Sequence, residues 1–245
     1  MLWHSVQGAG GTIGGGGGGV ISYYVGGTGF ELATSTNLIG TFSSLDIGSA
    51  PTASQKRYVV VCQGGASFSV NRDISATDVT VAGLSCTLAV EKLAASTSYK
   101  QYAAVHYVEV PTGTTATVSI TSAYGRGFSA QVYSVYIDSG DTLSVYSSDT
   151  DEASTALSCA VNAPATNSVA AAAAQFRNGE ATPSISFGGT LGLTTDYRVD
   201  ILSDENSYFG SDLLTSSGTG LTATITDSGA AGNESVLVSA VFSAS

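Results

Sequence analysis

The stretch Ala104-Val-His-Tyr-Val-Glu-Val-Pro-Thr-Gly-Thr-Thr-Ala-Thr-Val-Ser-Ile-Thr121 decides the fold. Its two ends alternate apolar and polar residues with a period of two, which is the pattern of a half-buried β-strand. Between them, Pro111-Thr-Gly113 has the composition of a turn, because proline pre-sets φ and glycine accepts a positive φ. The stretch therefore predicts two strands joined by a turn.

The same alternation runs through most of the chain. Further strands are predicted over residues 57–63, 77–81, 129–137, 141–146, 183–187, 197–202, 221–226 and 235–242, and 20–25 is strand-like. Residues 169–176 are rich in alanine and have a high helix propensity. Because every neighbouring segment is strand-like, we predict a buried strand with small side chains there.

The chain also repeats itself. Residues 112–121 and 217–226 align at an offset of 105 with five identities in ten, and 129–136 matches 235–242. We therefore predict an all-β fold, an antiparallel β-sandwich of jelly-roll or Ig-like type, with an internal duplication. The predicted body covers residues 20–245 and its halves cover 42–137 and 156–243. They form two tandem sandwiches or one larger sandwich, and the lack of a polar linker favours one compact body.

Composition and charge limit the partners. Only 11% of the residues are charged, and 8 Lys and Arg stand against 19 Asp and Glu, a formal net charge of −11. A chain with so few cations releases few counterions from phosphates, so no nucleic-acid partner is predicted. No stretch reaches the roughly 20 apolar residues that span a bilayer, so no membrane insertion is predicted. The start of the chain has no signal-peptide pattern, so we expect synthesis in a cytoplasm.

Six consecutive glycines, 14–19, separate an apolar head from the body. The run satisfies the dinucleotide motif trivially, but it lacks the preceding strand, the following helix and the lysine that phosphate loops require. We interpret residues 1–19 as an anchor peptide and a tether that becomes ordered only in an assembly. The predicted anchor residues are Met1, Leu2, Trp3, His4 and Val6.

The sequence predicts no enzyme and no cofactor. It has only two histidines, His4 and His106, and none of the common catalytic motifs. Asp149, Asp151 and Glu152 are weak candidates for a calcium site, with a solvated turn as the alternative, and Asp200 with 204–205 forms a second acidic cluster. The three cysteines match no zinc pattern and are expected as small buried side chains, although a disulfide such as Cys62–Cys86 stays open.

The aromatic residues are mostly tyrosines, 12 in all. Most are expected in the core or at its rim. Tyr124 with Arg126, and Tyr208 beside Asn206, are candidates for surface recognition, because tyrosines exposed in loops stack on sugars or anchor interfaces.

A family resemblance follows from three segments: Val25-Gly-Gly-Thr28, the apolar strand at 58–61, and Val108-Glu-Val-Pro-Thr-Gly-Thr-Thr-Ala-Thr-Val118 with a second β half after it. Over residues 20–243 the chain resembles accessory virion proteins of tailed bacteriophages, β-sandwich proteins that attach through a short N-terminal peptide. The resemblance implies a structural role in the virion as a decoration, head-fibre or tail component. It also implies other virion proteins (capsid, portal or tail) as partners, and we expect a homo-oligomer. The alternative is a carbohydrate-binding adhesin that recognises host glycans.

Overall fold

The computed structural model describes residues 19–20, 22–32, 38–67, 78–94, 100–122, 127–153, 156–177, 194–202, 205–226 and 235–245. All regular elements in these ranges are β-strands, and no helix in them is long and apolar enough to cross a membrane. The expected all-β antiparallel sandwich is confirmed. The strand predicted at 183–187 lies outside the described residues.

The first unit, residues 22–138, contains nine strands in its described part. They are β1 (Ser22–Leu32), β2 (Leu38–Asp46), β3 (Gln55–Ser67), β4 (Asp78–Val81), β5 (Leu84–Ser85), β6 (Thr87–Leu93), β7 (Lys100–Glu109), β8 (Thr115–Ser122) and β9 (Gly127–Asp138). Its inner sheet has the order β1-β9-β3-β7-β6 and its outer sheet the order β2-β8-β4-β5.

The second unit, residues 143–244, contains seven described strands. They are β10 (Leu143–Ala153), β11 (Ala156–Ala163), β12 (Ser168–Arg177), β13 (Thr194–Leu202), β14 (Glu205–Leu214), β15 (Gly218–Thr226) and β16 (Ser235–Ala244). Its inner sheet has the order β10-β16-β12-β14-β13, and its outer sheet pairs β11 with β15.

Each unit has the winding of a jelly roll. In the first unit β1 pairs with β9, β2 with β8, β3 with β7 and β4 with β5, all antiparallel, and successive pairs alternate between the two sheets. The second unit repeats this order with β10 and β16, β11 and β15, and β12 and β14. The strand order selects the jelly roll over the Ig-like alternative. The repeat starts at β1 and at β10, one strand earlier than the halves expected from the sequence.

The two inner sheets pack face to face, so that the chain forms four layers. Their shared core is apolar and joins Val60, Val105 and Tyr133 of the first unit to Phe209 and Phe242 of the second. Each unit also has its own core between its inner and outer sheets. Two tandem sandwiches therefore form one stack.

The stack is close to two-fold symmetric. Strand β3 packs on β12 and on β14, while β12 packs on β7; at the edges β6 packs on β10 and β1 on β13. Exchanging the units reproduces this set of contacts. The pairing of the units is therefore isologous, like that of a symmetric homodimer.

The alanine-rich segment is strand β12, as predicted. It is hydrogen-bonded to β14 and β16 on its two sides. Ala171 and Ala173 face the shared core, while Ala170, Ala172 and Ala174 face the core of the second unit. A strand buried on both faces between closely packed layers has room for small side chains, which explains why helix propensity does not decide its structure.

Candidate functional site

The best-defined candidate site is one end of the stack, which we call the clamped end. It consists of the β2–β3 connection (residues 47–54), the β7–β8 connection (110–114), the link between the units (139–142) and the start of the described chain (19–20). Connections on a rigid scaffold are where binding residues usually lie. The contacts below show how the sequence holds these segments in place.

Arg57 is the centre of the clamped end. It lies near the start of β3 and its side chain is fully buried. Its guanidinium nitrogens lie within hydrogen-bond distance of six backbone carbonyls, so that its five N–H groups are partly shared; the carbonyls are those of Val110 (3.1 Å), Ile47 (3.3 Å), Gly48 (3.2 Å), Ser49 (2.9 Å), Gly113 (2.9 Å) and Thr112 (2.7 Å). A buried cation needs polar partners, and a fork of five donors can serve two loops at once. Arg57 therefore ties the β2–β3 connection to the β7–β8 connection.

The β2–β3 connection is held from the other side by tyrosines of the inner sheet. Tyr136 Oη donates to the Ser49 carbonyl at 2.7 Å, and Tyr24 Oη donates to Asp46 Oδ2 at 2.7 Å. The hydrogen bond to Asp46 is the main cause that raises the pKa of Tyr24 to about 12. Gly48 sits between these rings at φ +72°, where an added Cβ would lie 2.9 Å from Tyr136 Oη. Only glycine fits both the space and the backbone angle.

The link between the units is fixed at the same end. Lys56 Nζ donates to the Asp141 carbonyl at 2.6 Å, and the Ser139 amide donates to the Ser54 carbonyl at 2.9 Å. Thr142 and Ser245 exchange backbone hydrogen bonds of 2.9 and 3.2 Å. The last residue of the chain therefore lies at the clamped end.

The described chain also begins here. The Val20 amide donates to the Asn167 carbonyl at 3.0 Å, and Val20 is buried in the core shared by the two units. Gly19 lies beside Asn167 and Thr166, on the connection before β12. The predicted anchor residues Met1, Leu2, Trp3, His4 and Val6 lie outside the described residues. Val20 nevertheless fixes where the segment that precedes it joins the body.

The acidic candidates for a metal site have another role in the structure. They lie on strand β10 instead of a turn. Asp149 Oδ2 accepts the Ala160 amide and Asp151 Oδ2 accepts the Ser158 amide, both at 2.7 Å. Glu152 forms an ion pair with Lys92 of β6 at 3.1 Å.

Ser147 Oγ accepts the Asn162 amide at 3.1 Å and completes the series that starts with the two aspartates. Alternate side chains of β10 thus bind alternate amides of β11 and close the edge between the inner and outer sheets. Among the described residues no group of three or more His, Cys, Asp or Glu side chains could hold a metal ion. Residue 204 and the side chains of Asp200 and Glu205 lie outside the described part.

Of the three candidates for surface recognition, the structure describes only Tyr208. Tyr208 is 1% exposed and packs edge-to-face on Phe176 at 5.6 Å inside the second unit, so its assignment to the surface is wrong. It lies in β14, a strand that the sequence pattern did not predict. Tyr124 and Arg126 lie outside the described residues. The large exposed apolar residues in the described part are Leu84, Leu88 and Tyr146, none of which the sequence singled out.

None of the three cysteines, all of which the structure describes, is in a disulfide, and Cys62 and Cys159 are fully buried, as expected of small core side chains. Desolvation raises the pKa of the partly buried Cys86 thiol to about 12. His106 is 5% exposed in β7, and Nε2 has no hydrogen-bond partner among the described residues. Desolvation lowers its pKa to about 4, so the imidazole is neutral at pH 7.

Comparisons with known proteins do not assign the chain to a family. No family model and no curated protein matches the chain. Among solved structures, the chain is similar to one titled "Crystal structure of Cucumber Necrosis Virus", at 11% identity over 91% of this chain and 86% of that chain, with a TM-score of 0.26. At that TM-score the likeness carries no argument about function.

Proposed function

We propose that the chain is a structural virion protein of a tailed bacteriophage. In this proposal residues 1–13 attach it to the capsid or tail, and the four-layer stack projects from the particle as a decoration, head-fibre or tail component. The protein is made in the host cytoplasm, is found in the virion and contacts other virion proteins.

One observation carries the proposal: two jelly rolls form a single stack, and the segment before the body joins it at the clamped end. Jelly rolls build viral capsid and lectin domains, so the fold-level analogy includes a shell role. A particle component has to transmit load between its attachment point and its body. At the end where attachment would occur, Arg57 joins two loops of the first unit, Lys56 joins that unit to the link, and Val20 joins the segment before β1 to the second unit.

The test is incorporation into particles. The full chain and a variant lacking residues 2–13 are produced during particle assembly, and purified particles are quantified by mass spectrometry. We expect the full chain in the particles and the truncated chain, folded, in the unassembled fraction. Tyr146→Ser is the matched control, since Tyr146 is 52% exposed on β10, and it should be incorporated like the unmodified chain.

Two results count against the proposal in different ways. Absence of the full chain from purified particles contradicts the virion role. Full incorporation of the truncated chain contradicts the anchor and leaves the virion role standing. Electron microscopy of particles then locates the chain on the capsid or tail.

The adhesin alternative is not favoured by an observation in the described residues. Of its three recognition candidates, Tyr208 is buried, and Tyr124 and Arg126 lie outside the described part. Binding of the full chain to a glycan array would revive this alternative.

A further inference from the structure

One end of the contact between the two units carries a row of polar side chains, which we call the polar seam. It consists of Gln101 of β7, Ser129 of β9, Gln175 of β12 and Ser207 of β14, gathered around Gly64 of β3. The four polar side chains are at most 1% exposed. Strands β3 and β12 both begin at the clamped end, and the seam lies towards their other ends, opposite the clamped end.

The first unit supplies one side of the seam. Gly64 pairs with Ser129 on one side and with Ala103 on the other, and Ala103 belongs to the core shared by the two units. Paired residues of neighbouring strands share a face, so Ser129 also faces the second unit. Gln101 stands two positions before Ala103 on β7 and therefore lies on the same face.

The second unit supplies the other side. Gln175 pairs with Ser207, and each stands two positions from a residue of the shared core, Ala173 and Phe209 respectively. Ser207 Oγ donates a hydrogen bond to Gln175 Oε1. A Cβ added to Gly64 would lie 2.7 Å from Gln175 Oε1 and 2.8 Å from Ser207 Cβ. The glycine therefore makes room for this pair of side chains between the sheets.

The polar atoms of the seam are only partly paired. Gln101 Nε2 and Oε1, Gln175 Nε2 and Ser129 Oγ are buried, and none of these atoms has a hydrogen-bond partner in the described part of the chain. A buried amide or hydroxyl group without a partner costs free energy, so proteins pair nearly all such groups with protein atoms or with ordered water. The four atoms include both donors and acceptors, so they suit a ligand that can do both.

We propose that the polar seam binds ordered water, which bridges Gln101 and Ser129 of the first unit to Gln175 of the second. A buried water typically makes about three hydrogen bonds to groups that are otherwise unpaired. The seam consists of uncharged amides and hydroxyls, which suits a neutral ligand better than an ion. Apolar contact between two sheets is not directional, whereas a bridged seam fixes how the sheets lie on each other.

Nuclear magnetic resonance of the purified full chain tests the proposal. Bound water is detected through nuclear Overhauser effects from the water resonance to the side-chain amide protons, with chemical exchange separated by rotating-frame spectra. Gln131 of β9 is the matched control, because it is 1% exposed and its Nε2 donates to the carbonyls of Gly26 at 2.9 Å and Val132 at 3.0 Å. We expect water cross-peaks to Gln101 and Gln175 and none to Gln131.

The variant Gln101→Met gives a second measurement whose sign decides. Methionine keeps the length of the side chain and removes both unpaired amide atoms. If water bridges the seam, the change removes hydrogen bonds to that water and lowers the urea midpoint. If the seam is dry, the change removes an unpaired buried amide and raises the midpoint.

We expect the midpoint of Gln101→Met to fall. A midpoint that stays the same or rises would overturn the proposal. Absence of water cross-peaks at Gln101 and Gln175, or equal cross-peaks at Gln131, would overturn it as well, and this result holds even if the variant does not fold. Neither measurement depends on the virion role.

Discussion

Replacing Arg57 with methionine should cost more stability than any other single change at the clamped end. Methionine keeps much of the apolar stem but removes every donor. Three of the six accepting carbonyls, those of Val110, Ile47 and Gly48, are buried, and the other three are partly open to water. The Ile47 carbonyl keeps the Ser134 hydroxyl as a donor at 2.8 Å. A buried carbonyl without a donor costs about 1–3 kcal/mol, so the carbonyls of Val110 and Gly48, less the gain from removing a buried charge, give a loss of about 3 kcal/mol.

Urea denaturation followed by circular dichroism measures this loss, and hydrogen exchange measured by mass spectrometry locates it. Exchange should rise at the amides of residues 47–54 and 110–114. The matched control is Lys56→Met, the next residue in the chain, which loses one carbonyl contact and should cost about 1 kcal/mol. If Arg57→Met loses no more stability than Lys56→Met, or both loops keep their protection, the guanidinium does not hold them and the reasoning is wrong.

Three further changes address other parts of the fold. Gly48→Ala should cost about 2 kcal/mol because it forces a Cβ into a positive φ and against Tyr136, whereas Gly140→Ala, where an added Cβ meets nothing within 4 Å, should be close to neutral in a thermal melt. The double change Asp149→Ala and Asp151→Ala should lower stability by about 2 kcal/mol and speed hydrogen exchange of the β11 amides. Asn at both positions keeps an acceptor and should cost less, so equal losses would show that these side chains do not hold the β11 amides. His106 should make the protein less stable as the pH is lowered, because its pKa is about 4 in the folded chain and 6.5 in the unfolded one. Below pH 6.5 the unfolded state binds the proton first, and the resulting loss of folding stability, on the order of 3 kcal/mol, is complete near pH 4. His106→Gln should remove that part of the decline in urea midpoints between pH 7 and pH 4, and an unchanged decline would show that other groups cause it.

Local patterns were sufficient for most of the strands. Alternation and a high content of β-branched and aromatic residues predicted the strands that became β3, β7, β8, β9 and β16, although β3, β9 and β16 are buried on both faces. The repeat at an offset of 105 indicated the duplication. The strand order that separates a jelly roll from an Ig-like sandwich depends on which distant strands pair, and no local pattern contains that information.

The candidate site was harder to predict from the sequence, because its contacts also join residues that are distant along the chain. Arg57 stands in a predicted strand like any other polar residue, and its partners lie up to 56 positions away. Asp149 and Asp151 suggested a turn or a metal site because two carboxylates at alternate positions fit either. Their amide partners on β11 become visible only once β10 and β11 are placed side by side. Tyr208 was misplaced because Asn206 and Asp212 obscured the alternation of a strand buried on both faces.

The double-faced strands also decide how the molecule comes apart. Val59 and Val61 of β3 belong to the core of the first unit and Val60 to the shared core, and the alanines of β12 divide in the same way. If one unit unfolded alone, the central strand of the other unit would lose the packing contacts on one of its two faces. The chain should therefore unfold in a single cooperative transition, with the melting temperatures of the two halves locked together. The two jelly-roll units would then behave as one thermodynamic domain.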